Sequence, residues 1–407
     1  MTLLATFILL LFLYSLVSAC LEKTILTAPI VFTAAGVIVH LVTAELGVQE
    51  GSQEVFLRLA EIGLVLLLFT DASRTDLQIL RNIRNLPGRL LSTGMLLTLI
   101  LGTLVALVVF RQLSIWEAGI LAAILAPTDA GLGQIIVNSP RVPMKIRQAL
   151  NVEAGLNDGL SVPFLLFFIA LAGTGAVGEG ARLHQFILEQ LGYGAVIGIG
   201  IGLVGGWLLG LAHRRKIVLE SWEQLGVVAL PLLCLIFSEV FGASMFIAAF
   251  VAGLAVQAGF KGAGKHSVDF TEEWGQMINL SVFFLFGILV ARNWQNFGIE
   301  HVLYAVLSLT VIRMLPVAIA LIGTRMSRST VLFMGWFGPR GLASIVLALV
   351  YLEHGAHHPG ESTIRLATMV TVLLSIFAHG LSARPGINLY ASRISRLSAS
   401  APEVESR

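Results

Sequence analysis

A carboxylate lies inside an apolar run. Asp158 sits in Asn151-Val152-Glu153-Ala154-Gly155-Leu156-Asn157-Asp158-Gly159-Leu160-Ser161, which continues into Val162-Pro163-Phe164-Leu165-Leu166-Phe167-Phe168-Ile169-Ala170. A charged side chain at bilayer depth costs at least ~2.5–3.5 kcal/mol, so such groups occur mainly where they line an ion or proton path or meet an opposite charge. A lone carboxylate holds one proton or one dehydrated monovalent cation, but not both. Burial disfavours its charged form and a neighbouring cation favours it. Competition for one such group, with access from alternate sides, is sufficient to exchange the two. The plainer role is a packing Asp held in a salt bridge.

Other residues could share that chemistry. Thr128-Asp129, in Ala126-Pro127-Thr128-Asp129-Ala130-Gly131-Leu132-Gly133, offers hard oxygen ligands suited to Na⁺. The same Asp129 would also cap the half-helix that follows, and the two roles are compatible. Asn157 adjoins Asp158 and is neutral at every pH, so one proton for one monovalent cation is the natural stoichiometry. Such exchange would ignore a membrane potential that otherwise acts at ~2.3 kcal/mol per charge per 100 mV. Glu153, one turn before Asn157 on the same helical face, is expected to pair with Arg340 in Phe337-Gly338-Pro339-Arg340-Gly341. Arg313, a third buried charge, either holds the core or tunes Asp158. Asp71, at the end of Leu67-Leu68-Phe69-Thr70-Asp71, either lines an inward-facing funnel or caps the next helix. Ser161 offers an oxygen near Asp158, although a Ser in a membrane helix more often bonds back to its own backbone. Glu61 and Glu239 receive no role. Glu353, His354, His357 and His358 read as a solvated outer loop.

The elements that position these residues are membrane helices. Of 407 residues, 56% are hydrophobic and only 12% charged, which excludes a soluble domain. Apolar runs of about 20 residues, the length that crosses a ~30 Å hydrocarbon core, give thirteen spans. They are 2–20, 25–43, 54–72, 90–110, 115–137, 147–173, 191–212, 222–241, 244–260, 276–291, 302–323, 330–351 and 364–384. With the N-terminus outside, nineteen of the 26 Lys and Arg fall in inward loops and four in outward loops, while Arg58, Arg313 and Arg340 lie within spans. That bias predicts the N-terminus outside and the C-terminus inside. Cys20 and Cys234 both lie in apolar spans and imply no disulfide framework. Val17-Ser18-Ala19-Cys20 resembles a lipoprotein cleavage site, but no basic segment precedes it and cleavage would invert every later loop. The basic stretch Asp71 to Arg89 reads equally as an interfacial amphipathic helix or as a plain loop. The fifth and twelfth spans carry Pro and Gly at mid-depth. Unwound backbone there needs a covering of protein or a water-filled cavity. Paired interruptions point to a secondary transporter built from inverted repeats, here spans 4–6 and 11–13.

Ala126-Pro127-Thr128-Asp129, Val152-Glu153-Ala154-Gly155-Leu156-Asn157-Asp158 and Phe337-Gly338-Pro339-Arg340-Gly341 together resemble the signatures of the monovalent cation/proton antiporters. The likeness is to the bacterial NhaP-type branch of the sodium/proton exchanger family, and it covers nearly the whole chain. It implies an all-α polytopic fold with two crossed, unwound helices. It implies a homodimer in a bacterial inner membrane, with a mobile core (about 90–173 and 302–384) moving against a dimerisation scaffold (about 1–72 and 191–291), and a short cytoplasmic tail at 385–407. It implies that Asp158 carries the transported cation and proton, with Thr128, Asp129 and Asp71 around it, and that Glu153 pairs with Arg340. The family commonly has Ser after the motif Glu. Here it is Ala154, and one ligand oxygen is missing unless a water replaces it.

The sequence therefore predicts electroneutral Na⁺/H⁺ antiport, with K⁺ or Li⁺ as alternative cations, membrane lipid and a second copy of the chain as partners, and neither cofactor nor nucleic acid. A cation channel is the reading from another class, but no repeat resembling a selectivity filter is found. An enzyme is not expected, since neither His-Glu-x-x-His nor Gly-x-Ser-x-Gly is present.

Overall fold

The computed structural model describes residues 2–21, 24–42, 51–74, 85–173, 188–260, 265–354, 359–397 and 401–403. All regular structure among them is helical. In hydrocarbon no water can satisfy the backbone, and a helix satisfies it within one segment. The helices are α1 (Thr2–Leu21), α2 (Ala28–Val42), α3 (Gly51–Arg74), α4 (Leu86–Val109), α5 (Ile115–Ile124), α6 (Ala130–Val137), α7 (Met144–Gly173) and α8 (Gly194–Arg214). They continue as α9 (Glu220–Phe241), α10 (Met245–Gly259), α11 (Lys265–Asn293), α12 (Ile299–Leu309), α13 (Val311–Ala320), α14 (Arg328–Trp336), α15 (Leu342–His354) and α16 (Glu361–Ile394). These helices occupy each of the thirteen predicted spans. Eight stretches among the described residues are long and apolar enough to cross a membrane. Outward-facing Leu9, Phe12, Trp207, Phe237 and Val240 are exposed, as a lipid-facing surface requires.

Spans 5 and 12 are broken as predicted, into α5/α6 and α14/α15. A third break was not predicted: span 11 divides at Thr310, whose backbone leaves the helical region at φ −108, ψ −88. A π-helical turn over Leu90–Gly94 lies in α4.

Helices α2, α3, α8, α9, α10 and α11 pack on one another. The α8–α10 contact is very close. A Cβ at Gly198, Gly202 or Gly206 would overlap the α10 backbone at Ala248, Ala252 or Val256, the small-residue packing that substitutes for the hydrophobic effect in lipid. The broken helices form the rest: α5 and α6 lie on α7, α13 on α14, and α12 and α15 on α16. Helix α7, which bears Asp158, touches both sets, through α3 and α10 on one side and α5, α6 and α15 on the other. Arg58 joins Glu61 (3.2 Å) and Glu239 (2.6 Å), tying α3 to α9. The basic stretch between Asp71 and Arg89 falls mainly in 75–84, outside the described residues. So do His357, His358 and the side chains of Glu353 and His354.

Candidate functional site

The two unwound segments cross, and each serves the helix ends of the other. Asp129 is the N-cap of α6, where its Oδ1 accepts from Leu132 N at 2.9 Å. Its Oδ2 accepts from Leu342 N, the first residue of α15, at 2.5 Å. Its own N–H donates to Pro339 O at 2.8 Å. One carboxylate thus faces the positive ends of two half-helices. Gly341 is needed for this approach, because a Cβ there would overlap the Asp129 carboxylate.

Arg340 performs the opposite task. Its fully buried guanidinium donates through Nη1 to Ala126 O (2.6 Å) and Pro127 O (2.7 Å). These carbonyls follow the last turn of α5, where a helix end leaves acceptors without donors and the dipole favours a cation. The expected Glu153–Arg340 pair is therefore corrected. Glu153 instead pairs with Arg313: Nη1 to Oε1 is 2.5 Å and Nη2 to Oε2 is 2.9 Å. The fork of two parallel bonds suits guanidinium and carboxylate. Arg313 has room because residue 338 is Gly, and a Cβ at that position would overlap the guanidinium. Arg340 directs its Nη1 to the carbonyls at the end of α5, and among the described residues its Nε and Nη2 have no hydrogen-bond partner. Of the two roles left open for Arg313, holding the core is what its bonds express.

Asn157 and Thr128 form a closed pair. Asn157 Nδ2 donates to Thr128 Oγ1 at 2.7 Å, and Thr128 N donates to Asn157 Oδ1 at 3.3 Å. Ser161 Oγ donates to Asp158 O at 2.7 Å, so that hydroxyl serves the backbone of α7. Asp158 itself is buried, and among the described residues its Oδ1 has no hydrogen-bond partner. The charges of Asp129, Asp71 and Arg340 act on it. Asp71 lies against Gly155, one turn before Asp158, with its Cβ 3.1 Å from where a Cβ of residue 155 would stand.

A cavity of about 230 Å³ opens beside these groups, lined by Asp71, Asp129, Gln134, Asn151, Gln276 and Asn279 among others. Asp158 does not line it, but Asp71 and Asp129 do. A second cavity of about 20 Å³ touches Thr128, Asp129, Asn151, Glu153 and Ala154. The structure thus gathers Asp158, Asp129, Thr128, Asp71, Asn157, Glu153, Arg340 and Arg313 around one crossing.

A model of the transmembrane sodium/hydrogen exchanger family matches residues 7–388. The chain belongs to that family. It is 27% identical over 315 residues to a Na(+)/H(+) antiporter of Schizosaccharomyces pombe, covering 68% of this chain and 65% of that protein. It is 25% identical over 391 residues to the K(+)/H(+) antiporter NhaP of Alkalimonas amylolytica, covering 92% of this chain and 64% of the other. Among solved structures, the sodium proton antiporter MjNhaP1 of Methanocaldococcus jannaschii superposes with a TM-score of 0.73 at 22% identity, covering 93% of this chain and 99% of that one. At that identity the likeness is one of fold. The chain spans 65%, 37% and 35% of the length of three relatives that it matches.

In this exchanger-family chain, sequence reasoning missed three residues of α16 that touch the crossing: Ser375, His379 and Ser382. Ser375 Oγ accepts from Arg340 N at 2.6 Å, His379 Nε2 lies 2.8 Å from Trp336 O, and Ser382 Oγ accepts from Trp336 Nε1 at 2.9 Å. A His inside the apolar run Ser375-Ile376-Phe377-Ala378-His379 was the available signal.

Proposed function

We propose that the protein exchanges one monovalent cation for one proton, with Na⁺ as the first candidate and K⁺ or Li⁺ as alternatives. The observation that carries this reading is the buried Asp158 oxygen without a hydrogen-bond partner among the described residues, within reach of the charges of Asp71 and Asp129. A buried acceptor left open is costly unless something binds there. A proton or a dehydrated cation satisfies it, and both compete for the same oxygen. Asn157 is committed to Thr128 and carries no charge, which supports one-for-one, electroneutral exchange. The Asp71- and Asp129-lined cavity supports an access route from one side. The excess of Lys and Arg on inward loops supports an N-terminus outside and a cytoplasmic C-terminus, and the likeness to the Alkalimonas antiporter favours a bacterial inner membrane.

The broken-helix set is the moving core in this reading. Helices α1–α3 and α8–α11 are the scaffold, through which two copies associate within membrane lipid. The small cavity beside Ala154 exceeds the ~10–15 Å³ that one water needs. A water there supplies the ligand oxygen that a Ser would otherwise provide. K⁺ as substrate draws support from the likeness to the Alkalimonas K(+)/H(+) antiporter.

The test is transport by purified protein in liposomes with an imposed pH gradient. Na⁺, K⁺ and Li⁺ are added in turn while luminal pH is read, first at zero potential and then at an imposed potential. Cation-dependent alkalinisation that ignores the potential is expected, and Asp158→Asn abolishes it without unfolding the protein. Transport retained by a folded Asp158→Asn protein overturns the assignment. A potential-dependent signal overturns electroneutrality.

A further inference from the structure

Four half-helix ends meet at the crossing, and three are served by the charges already described. Asp129 serves the N-termini of α6 and α15, and Arg340 serves the C-terminus of α5. The fourth end is the C-terminus of α14. Its last carbonyl, Trp336 O, accepts from Gly338 N at 2.9 Å and faces His379 Nε2 at 2.8 Å. His379 is buried on α16, with Nδ1 3.1 Å from Ser375 Oγ and 2.9 Å from Ser375 O. Ser375 Oγ also accepts from Arg340 N. A carbonyl only accepts, so Nε2–H donates to Trp336 O, and Arg340 N–H donates to Ser375 Oγ, while Nδ1 faces both the hydroxyl and the carbonyl of Ser375. Ser375, His379 and Ser382 stand at i, i+4 and i+7, one face of α16. The Trp336 ring lies over His379 at 5.1 Å between centroids.

We propose that His379 is a positioning residue for the ion site. It fixes the C-terminal end of α14 and, through the unwound strand 337–341, the aim of Asp129. That strand supplies Pro339 O to Asp129 N and leads directly to Leu342 N, which binds Asp129 Oδ2. The consequence for cation affinity rests on the antiport reading. The consequence for the strand does not.

The test compares two variants of similar polarity. His379→Gln places an amide nitrogen near the position of Nε2 and keeps the bond to Trp336 O. His379→Asn reaches only as far as Nδ1 and loses it. Losing a bond to a buried carbonyl is expected to raise the apparent Km for the transported cation about tenfold in His379→Asn, while Vmax holds and His379→Gln stays within about twofold of wild type. Backbone amide exchange of residues 337–342 is expected to quicken in His379→Asn and not in His379→Gln, whether or not the protein transports. Equal exchange in the two variants overturns the proposal. Faster exchange with an unchanged Km confines His379 to structure and also overturns it. Wild type that transports no cation refutes the antiport reading alone, and the exchange comparison still decides the role of His379 in holding the strand.

Discussion

The Glu153–Arg313 pair admits a quantitative test. Both residues are almost fully buried, at 3% and 5% exposure, and two short bonds join them. Arg313→Met keeps most of the side-chain volume but leaves the Glu153 carboxylate without its partner. Removing one member of a buried pair costs ~3–5 kcal/mol, mostly because the other charge is stranded. Glu153→Gln should cost a similar amount for the same reason. The double variant strands nothing, so its loss should fall well below the sum, with a coupling energy of ~2–3 kcal/mol. A parallel cycle on Glu153 and Arg340 should give a clearly smaller coupling, because Arg340 is bound to Ala126 O and Pro127 O. The assay is the free energy of unfolding of the four proteins of each cycle in one detergent. Additivity of the Glu153/Arg313 cycle within ~0.5 kcal/mol, or a larger coupling to Arg340, would refute the pairing.

Gly341→Ala should abolish transport in a protein that still folds, since the new methyl overlaps the Asp129 carboxylate that joins two half-helices. Wild-type rates in vesicles would show that Asp129 need not hold that position. Asn157→Asp retains an oxygen to accept from Thr128 N but adds a charge, so transport should become sensitive to an imposed potential; a voltage-independent rate removes Asn157 from the stoichiometry argument. Glu403 tests the N-terminal end of α14. Burial alone would raise its carboxyl, but bonds from Ser327 N–H and from the Ser327 and Thr330 hydroxyls outweigh this and hold it below its ordinary 4.5. A depressed carboxyl gives stability that is complete above 4.5 and fades as pH falls through its lower, docked value. The thermal-stability difference between wild type and Glu403→Gln should therefore be present at neutral pH and shrink in acid. A difference that grows in acid contradicts the contact.

The thirteen apolar runs, the Pro and Gly interruptions and the isolated Asp158 were legible in the sequence because each is local. Hydropathy sets which segments enter a bilayer, Pro and Gly set where helices break, and a carboxylate in an apolar run stands out by chemistry alone. The capping role of Asp129 was also local, since an N-cap acts within one turn of its own helix. Partner choice among buried charges was not. Glu153 had two arginines within reach of the argument, and the sequence expectation chose Arg340. The fold gives it Arg313, because Gly338 leaves space for that guanidinium while the open carbonyls at the end of α5 claim the other. The second bond of Asp129, to Leu342 N, and the contact of His379 with Trp336 O likewise join residues 213 and 43 positions apart. The break at Thr310 carried no Pro or Gly of its own to announce it. Sequence thus determined which residues are costly to bury, since that depends on side-chain type alone. The tertiary structure decided which of them satisfy one another, because that depends on where two crossed helices leave their unpaired ends.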